Sequence, residues 1–448
     1  MSRIVLFTLF FLATLNGKAQ YKLDTIAYAG PSKVFTDIIF LGDGFKDSEM
    51  DTFVEFVNNQ VSTLFTKAPW STYKNRFNIF YVKTPSQESG AGMTPDNPKN
   101  TVYGVCFGTS GVDRMPWPTN WGNVYGVLGA TKPDYDIVCI VTNSMKYGGG
   151  GGGGFLCYSM EESSHEMLRH ELGHAFGGLS DEYWYMGEES KNMTQKINPA
   201  KWSRWIGYNG VGTYHYEDDP NTEAYSWYRP HQNCEMRYLY MDYCAVCHEA
   251  LIERIHETSL DILSYQPTGK TVSITDECVF SLNLAKPDPN TLRVVWSLDG
   301  QCIGYNVDEV KIAASSLNHG QSYQLTAAVE DTTLLVRPTS QTTLKVSTVT
   351  WQLESLTTGI TLPTVTGNDF SVGPLPFSSS LSFSMRQPCT QPIRLELYDM
   401  GGRVVARRTL KDETTCTLTP SHLSDGIYLL RVYQGNRLLY SRKVTRKG

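Results

Sequence analysis

The chain has 448 residues, 41% of them hydrophobic and 19% charged, a composition that belongs to folded rather than disordered protein and leaves room for about two to four domains. Its formal net charge is -6. With no basic tract before the last few residues, nothing in it favours nucleic acid as a partner.

Residues 1–19 read as a secretory signal peptide, with Arg3, an apolar run from Ile4 to Leu15, and Gly17-Lys18-Ala19 as a small-residue cleavage site. The run is shorter than the ~20 residues that span a bilayer, and no later run is long enough. The expectation is an exported product with no transmembrane helix in the mature chain. Loss of Arg3 and Lys18 takes the charge from -6 to -8. Export permits disulfides among the ten cysteines, but spacing does not give their connectivity.

Asp37–Gly42 is a short apolar run ending at glycine, which predicts a buried strand followed by a Gly42-Asp43-Gly44 turn. Ser48 with Asp51 forms a capping-box pattern. Met50, Phe53, Val54, Val57, Val61, Leu64 and Phe65 then follow helical spacing. Strand, turn and helix in succession predict an α/β layer, with further strands at Phe77–Val82 and Tyr135–Thr142.

Seven consecutive glycines follow, Gly148–Gly154. They suit either a flexible loop or a backbone that passes close to another, since glycine puts no Cβ in the way. On the second reading Gly150 and Gly151 lie on an edge that a peptide substrate could contact through its backbone.

Ser163–Tyr183 (SSHEMLRHELGHAFGGLSDEY) carries the chemistry. Ser163-x-x-Glu166 predicts a helix start and Gly177-Gly178 its end. Leu168, Leu172 and Phe176 recur every four residues and form a core stripe, with His170 and His174 on another face. His170-Glu171-Leu172-Gly173-His174 is an H-E-x-x-H motif, in which two imidazoles one turn apart can hold one zinc ion and the intervening carboxylate can serve as base. Asp181, after the glycine bend, is the expected third ligand, with Glu182 as the alternative. His165-Glu166 repeats the start of the motif, but Arg169 stands where its second histidine would be, so His165 reads as an ordinary surface histidine.

From Tyr183 to Gln232 the chain is rich in Trp, Tyr, Asn and Gly and has little periodicity, as expected of loops forming a cleft wall. Glu217-Asp218-Asp219 could bind calcium, although an exposed acidic turn is the commoner meaning of such a cluster. Cys244-Ala245-Val246-Cys247-His248 matches a c-type haem attachment site literally, yet nothing around it suggests electron transfer. It reads as the start of a helix behind the site, running from about Tyr243.

The extended motif, with glycine and an acid after H-E-x-x-H and a methionine downstream before a helix, resembles metzincin-like zinc peptidases. More narrowly the chain is similar to the bacterial IgA-peptidase family over about residues 35–260. The matching stretches are LGDGF (Leu41–Phe45), FNIFYV, PSQESG (Pro85–Gly90), YGGGG from Tyr147, HELGHAFGGLSDEY (His170–Tyr183), and RPHQNCEMR leading into CAVC. The resemblance implies Met236 as the residue of a methionine turn beneath the metal. Counted from Gly177, the common metzincin spacing puts the third ligand at Ser180; counted from Gly178, at Asp181.

From about Thr268 the composition turns to short runs rich in Thr, Ser and Val, which predict a β-sandwich. The last segment is a second one. Its Asp399–Val405 turn, its Gly426-Ile427-Tyr428 strand entry and its basic end resemble the C-terminal sorting domain of type IX secretion, which implies that machinery as a partner and release or display beyond an outer membrane. The expected organisation is therefore an α/β (α+β) metzincin-like zinc peptidase domain at 20–266, an Ig-like β-sandwich at 267–352 and a sorting domain at 365–448.

The function expected is a secreted zinc endopeptidase acting on extracellular protein, IgA-like or mucin substrates included, through Glu171 and a metal-activated water, with Tyr238 or Tyr240 as oxyanion donors. The alternative is a surface module that binds glycan or protein on a peptidase-like scaffold. Glu171 separates the two, since a retired site has no use for the base. A zinc amidase acting on cell-wall peptides would share the chemistry.

Overall fold

The computed structural model describes residues 21–318, 320–337, 344–355, 370–385, 391–411, 413–435 and 437–448. The predicted signal peptide and the boundary predicted at 365 lie outside them. The fold is mixed α+β, richer in strand than in helix.

The first half is built on a six-stranded sheet: β1 (Leu23–Ala27), β2 (Thr36–Asp43), β3 (Phe77–Val82), β4 (Ile137–Thr142), β5 (Gly149–Gly152) and β6 (Phe155–Ser159), in the order β1-β3-β2-β4-β6-β5. β2 pairs in parallel with β3 and β4, and β4 with β6; β1 and β5 close the edges in antiparallel register. Every residue of β2 and β4 is buried, because parallel strands of continuous apolar sequence need cover on both faces. Ile38, Phe40, Cys139 and Val141 join the core of α1 (Met50–Leu64) and α3 (Ser164–Ala175), while Ile39, Leu41, Val138 and Ile140 join that of α2 (Trp121–Thr131). This alternation is the period of two that a strand imposes.

The cap predicted at Ser48 is not formed. α1 follows a single 3-10 turn at Asp47–Glu49, where Glu49, not Ser48, closes the turn by accepting the Lys46 N–H at 2.7 Å. α2 departs from the sequence reading altogether. Gly122, Gly126 and Gly129 weaken its propensity, but Asn120 caps it by accepting the Asn123 N–H at 3.2 Å.

Two of the quoted motifs prove to be halves of one structure. Gly44 has φ +73 and lies so close to Gly90 that a Cβ would stand 2.1 Å from its carbonyl oxygen. The Gly90 N–H bonds Gly44 O at 2.8 Å and the Ser86 N–H bonds Phe45 O at 2.7 Å. Buried Asp43 accepts from the Tyr103 and Val105 N–H groups at 2.7 and 2.9 Å and from the Thr101 hydroxyl at 2.7 Å.

The chain divides into two compact units: residues up to 270 with 279–310 and 323–352, and residues 271–278, 311–322 and 353–448. In the first, α4 (Ala245–Thr258) precedes sandwich strands at Leu292–Leu298 and Gln301–Tyr305 and most of those at Ser322–Asp331 and Ser347–Ser355. Trp296 and Trp351 stack between them, ring centres 5.8 Å apart. In the second, Ile393–Tyr398, Val404–Leu410, Gly426–Gln434 and Arg437–Arg446 make a four-stranded antiparallel sheet. The predicted glycine hairpin joins the first two: Gly402 takes φ +80, and Asp399 Oδ1 accepts the Gly401 and Arg403 N–H groups at 3.0 and 2.9 Å. Among the described residues no helix is long and apolar enough to cross a membrane, and no disulfide forms.

Candidate metal centre

α3 begins and ends where the sequence puts it, with one change of mechanism. Ser163 makes no side-chain cap; its N–H and hydroxyl both turn to Glu161. Glu166, freed from the capping box, is buried and pairs with buried Arg169 at 2.5 Å. At the other end Gly178 takes φ +62 and places its N–H on His174 O at 3.2 Å, the left-handed stop that glycine allows. Leu168, Leu172 and Phe176 face the core.

That stop folds the chain back onto the histidines. His174 Nδ1 lies 2.7 Å from Leu179 O and His170 Nδ1 3.0 Å from Glu235 O. A carbonyl only accepts, so each Nδ1 carries a proton, and a cation that displaces the proton at Nε2 meets the lone pair there. The two Nε2 atoms are 3.2 Å apart, and Asp181 Oδ1 stands 3.0 Å from one and 3.2 Å from the other. Three lone-pair atoms converging in this way form a donor set for a cation, and His170, His174 and Asp181 together are a possible metal-binding cluster. Burial by itself lowers a histidine, but Asp181 outweighs it, raising His170 to about 10 and raising His174 as well; against its own burial, Asp181 is held below the usual carboxylate range by the two rings.

Asp181 and Glu182 part company. Glu182 is fully buried and turned away from the histidines, toward Cys244 and Cys247. Buried Asn192 fixes the divergence, accepting the Ser180 N–H at 2.8 Å while its amide donates to Ser180 O at 2.8 Å and Glu182 Oε1 at 3.2 Å. Tyr216 donates its hydroxyl to Asp181 O at 2.7 Å.

The seven glycines are ordered backbone. β5 is the edge strand beside α3, and a Cβ on Gly149 would stand 2.7 Å from Glu171 Oε1, one on Gly151 2.7 Å from Glu171 O. Only glycine lets the edge come this close to the helix. Glu171 is thereby buried at the floor of an open cleft of about 440 Å³, with Gly150, Gly151, His170, His174 and Asp181 also in its lining. Burial raises its carboxyl above the usual range, although both histidines pull it down.

Met236 is fully buried under α3, where a Cβ on Gly173 would lie 2.4 Å from its sulfur. Its carbonyl accepts the Glu182 N–H at 2.7 Å. Tyr238 borders a smaller recess shared with His170 and Glu171. Tyr240 is exposed and packs against His165, ring centres 6.1 Å apart. Glu217-Asp218-Asp219 is an exposed turn in which Asp219 Oδ1 accepts the Asn221 N–H at 3.0 Å. His248 faces away from the cleft, with Nε2 3.2 Å from Ala68 O.

Two residues with no role expected from sequence stand in the cleft wall. Arg114 donates to the Tyr183 hydroxyl at 2.8 Å, and the Tyr183 ring lies parallel to that of His170. Burial, then the charge of Asp181, pushes the Tyr183 phenol above its ordinary value and keeps it a proton donor. Its signal was the tyrosine closing the DEY triplet; Arg114 gave none, lying in a loop without periodicity.

No curated protein matches the chain. Among solved structures it is similar to a biofilm associated protein BSP domain (12% identity, 40% of this chain and 31% of that one, TM-score 0.15) and to the chicken CNTN1 FN1-FN3 domains (12% identity, 42% and 65%, TM-score 0.16). The chain spans about a third of the first and under two thirds of the second. At such TM-scores neither carries an argument about this fold. The family profiles are more informative. One, described as Secretion system C-terminal sorting domain, matches residues 371–447, and such a tail implies export to the surface or the medium. The other ends before Arg229–Cys247 and spans the sheet, the glycine edge, the H-E-x-x-H helix and the Asp181 turn: residues 25–208 carry the pattern of the IgA Peptidase M64 family, and with it the support for a peptidase.

Proposed function

We propose that the chain is a secreted zinc endopeptidase whose metal is held by His170, His174 and Asp181. The observation that carries the reading is the convergence of three lone-pair atoms within 3.2 Å of one another at the floor of an open cleft, with Glu171 beside them. Two imidazoles and one carboxylate suit zinc in a site that keeps an open position. A methionine turn beneath them, at Met236, is in keeping with a metzincin-like domain, here taken to span residues 20–266.

Zinc bound there supplies Lewis acidity, lowering the pKa of a water from about 16 toward 7 and polarising a peptide carbonyl. Glu171 accepts the proton of the attacking water and returns it to the leaving amine. Its raised carboxyl suits a group that must both take and give a proton near neutral pH. Tyr183, kept protonated and steadied by Arg114, donates toward the negative charge that develops on the carbonyl oxygen; Tyr238 is the reserve donor, whereas Tyr240 stands too far out. The backbone of Gly150 and Gly151 offers a strand edge along which an extended substrate can lie.

The test uses the full chain with casein, mucin and IgA as substrates. Cleavage is expected, abolished by a chelator and restored by zinc, and Glu171→Ala should lower kcat about 100-fold or more while leaving bound zinc unchanged. Undiminished cleavage by Glu171→Ala sinks the assignment.

A further inference from the structure

Beneath the cleft lie four donor side chains that the site above does not use. Glu182, Cys234, Cys244 and Cys247 are all buried, and one ligand atom of each lies within 4.8 Å of the others. Cys234 Sγ and Cys247 Sγ are 3.7 Å apart, Cys247 Sγ lies 3.3 Å from Glu182 Oε1, and Cys244 Sγ lies 4.0 Å from it. In a tetrahedron with Zn–S of about 2.3 Å and Zn–O of about 2.0 Å, neighbouring sulfurs stand about 3.8 Å apart and a sulfur and an oxygen about 3.5 Å. Disulfide sulfurs stand at about 2.05 Å. The spacing is that of ligands around an ion.

The surroundings point the same way. Glu182 has no exposure, and its Oε2 finds no hydrogen-bond partner; a carboxylate buried against three thiols is costly unless something positive sits with it. Cys244 stands at the N-cap position of α4, without a side-chain cap bond, and Cys247 lies in its first turn, at the helix end whose dipole suits negative ligands. The Cys244 N–H donates to Cys234 Sγ at 3.3 Å, and Cys244-x-x-Cys247 has the ligand spacing common in structural zinc sites.

We propose that Glu182, Cys234, Cys244 and Cys247 form a second metal site, structural rather than catalytic, that takes zinc. On loading, the three thiols release their protons to solvent and the ion is closed in by three sulfurs and one oxygen, with no position left for substrate. Its place explains the adjacent acids of the S-D-E-Y segment: Asp181 serves the cleft and Glu182 the ion behind it. The segments that carry these ligands also carry supports of the first site, since the Glu182 N–H rests on Met236 O at 2.7 Å and Glu235 O, next to Cys234, holds His170 Nδ1 at 3.0 Å. A metal joining residues 182, 234, 244 and 247 fixes the register of both. These are positioning residues for the cleft.

The full chain, purified with and without added zinc, should hold two equivalents of zinc. Loading with cobalt should give a near-ultraviolet thiolate-to-cobalt band in the unmutated protein, so the reading does not depend on a variant folding. The H170A/H174A pair should lose one equivalent and keep the band; the C244S/C247S pair should lose the band. Zinc at one equivalent with no thiolate band in the unmutated protein, or a disulfide among the three cysteines after alkylation and mass mapping, overturns the second site. The peptidase reading fails by a different result, zinc content unmoved by the histidine pair, so the two failures are told apart.

Discussion

A Cβ on Gly149 would stand 2.7 Å from Glu171 Oε1, whereas one on Gly152, three residues along the same strand, meets nothing within 4 Å. Neither position has positive φ, so alanine is conformationally acceptable at both, and the contrast is one of space alone. Gly149→Ala should push the Glu171 carboxylate aside and lower kcat/KM about 100-fold, the usual cost of misplacing a reacting group by about 1 Å, while Gly152→Ala stays within about twofold. Steady-state assays beside thermal melts check this; equal activity in the two variants would mean that the edge strand does not hold Glu171. At this scale the sequence was legible where chemistry repeats at helical spacing, as in His170, Glu171 and His174. It could not decide between Asp181 and Glu182, because neighbouring acids look alike until Asn192, ten residues beyond Glu182, and Cys247, 65 beyond, pull one of them inward. Arg114 meets Tyr183 across 69 residues, and no local pattern reports such a pairing.

Among elements, strands and helices with strong patterns fall close to their predicted bounds: Phe77–Val82 is the predicted run, and α1 spans Met50–Leu64. What misled the reading was competition for polar side chains, since Ser163 and Glu166 found better partners than each other, and glycines that masked α2. Less visible still was the tie from α4 to the sandwich strand Ser322–Asp331. His256, almost wholly buried, sits 3.3 Å from Asp261 and 3.1 Å from Asp331, and Tyr73 donates its hydroxyl to Asp331 at 2.8 Å. Arg76 pairs with Asp261 at 2.6 Å. Burial pulls His256 down, but the two carboxylates outweigh it and raise it; Asp331, against its burial, is lowered to about 2 by His256, Thr291 and Tyr73. A raised histidine contributes fully below its unfolded value of about 6.5 and loses that contribution as pH climbs through the folded value. The lowered aspartate contributes above about 4 and loses it as pH falls toward 2. The tie is therefore strongest between about pH 4 and 6.5. His256→Gln should cost about 3 kcal/mol near pH 6, by leaving two buried carboxylates short of a cation, and progressively less as pH climbs through the folded value of His256. Melting curves across that range check it, and a loss that grows with pH would overturn the assignment.

At the scale of the whole molecule the chain carries two separable duties. Residues 371–447 match a secretion sorting domain, and their strands close around a core of their own that includes Phe377, Phe383, Leu395, Leu397, Leu430 and Val432. The cores that position the cleft draw on none of these residues. Burial of that separate core makes the tail a cooperative unit, and its removal takes no side chain from beneath Glu171 or the histidines. A C-terminal sorting domain implies export to the surface or the medium, so the tail is expected to act at the outer membrane. A chain stopped at residue 370 and expressed in its host should therefore reach the periplasm and stay there, while the full chain reaches the surface or the medium. Purified, the shortened chain should retain kcat/KM within about twofold and its zinc content, since domains with their own cores fold and act independently. Fractionation with an antibody, followed by assay of the two purified proteins, separates the duties. Release of the shortened chain to the medium would remove the sorting role, and loss of its activity with the fold intact would show that the tail reaches into the chemistry.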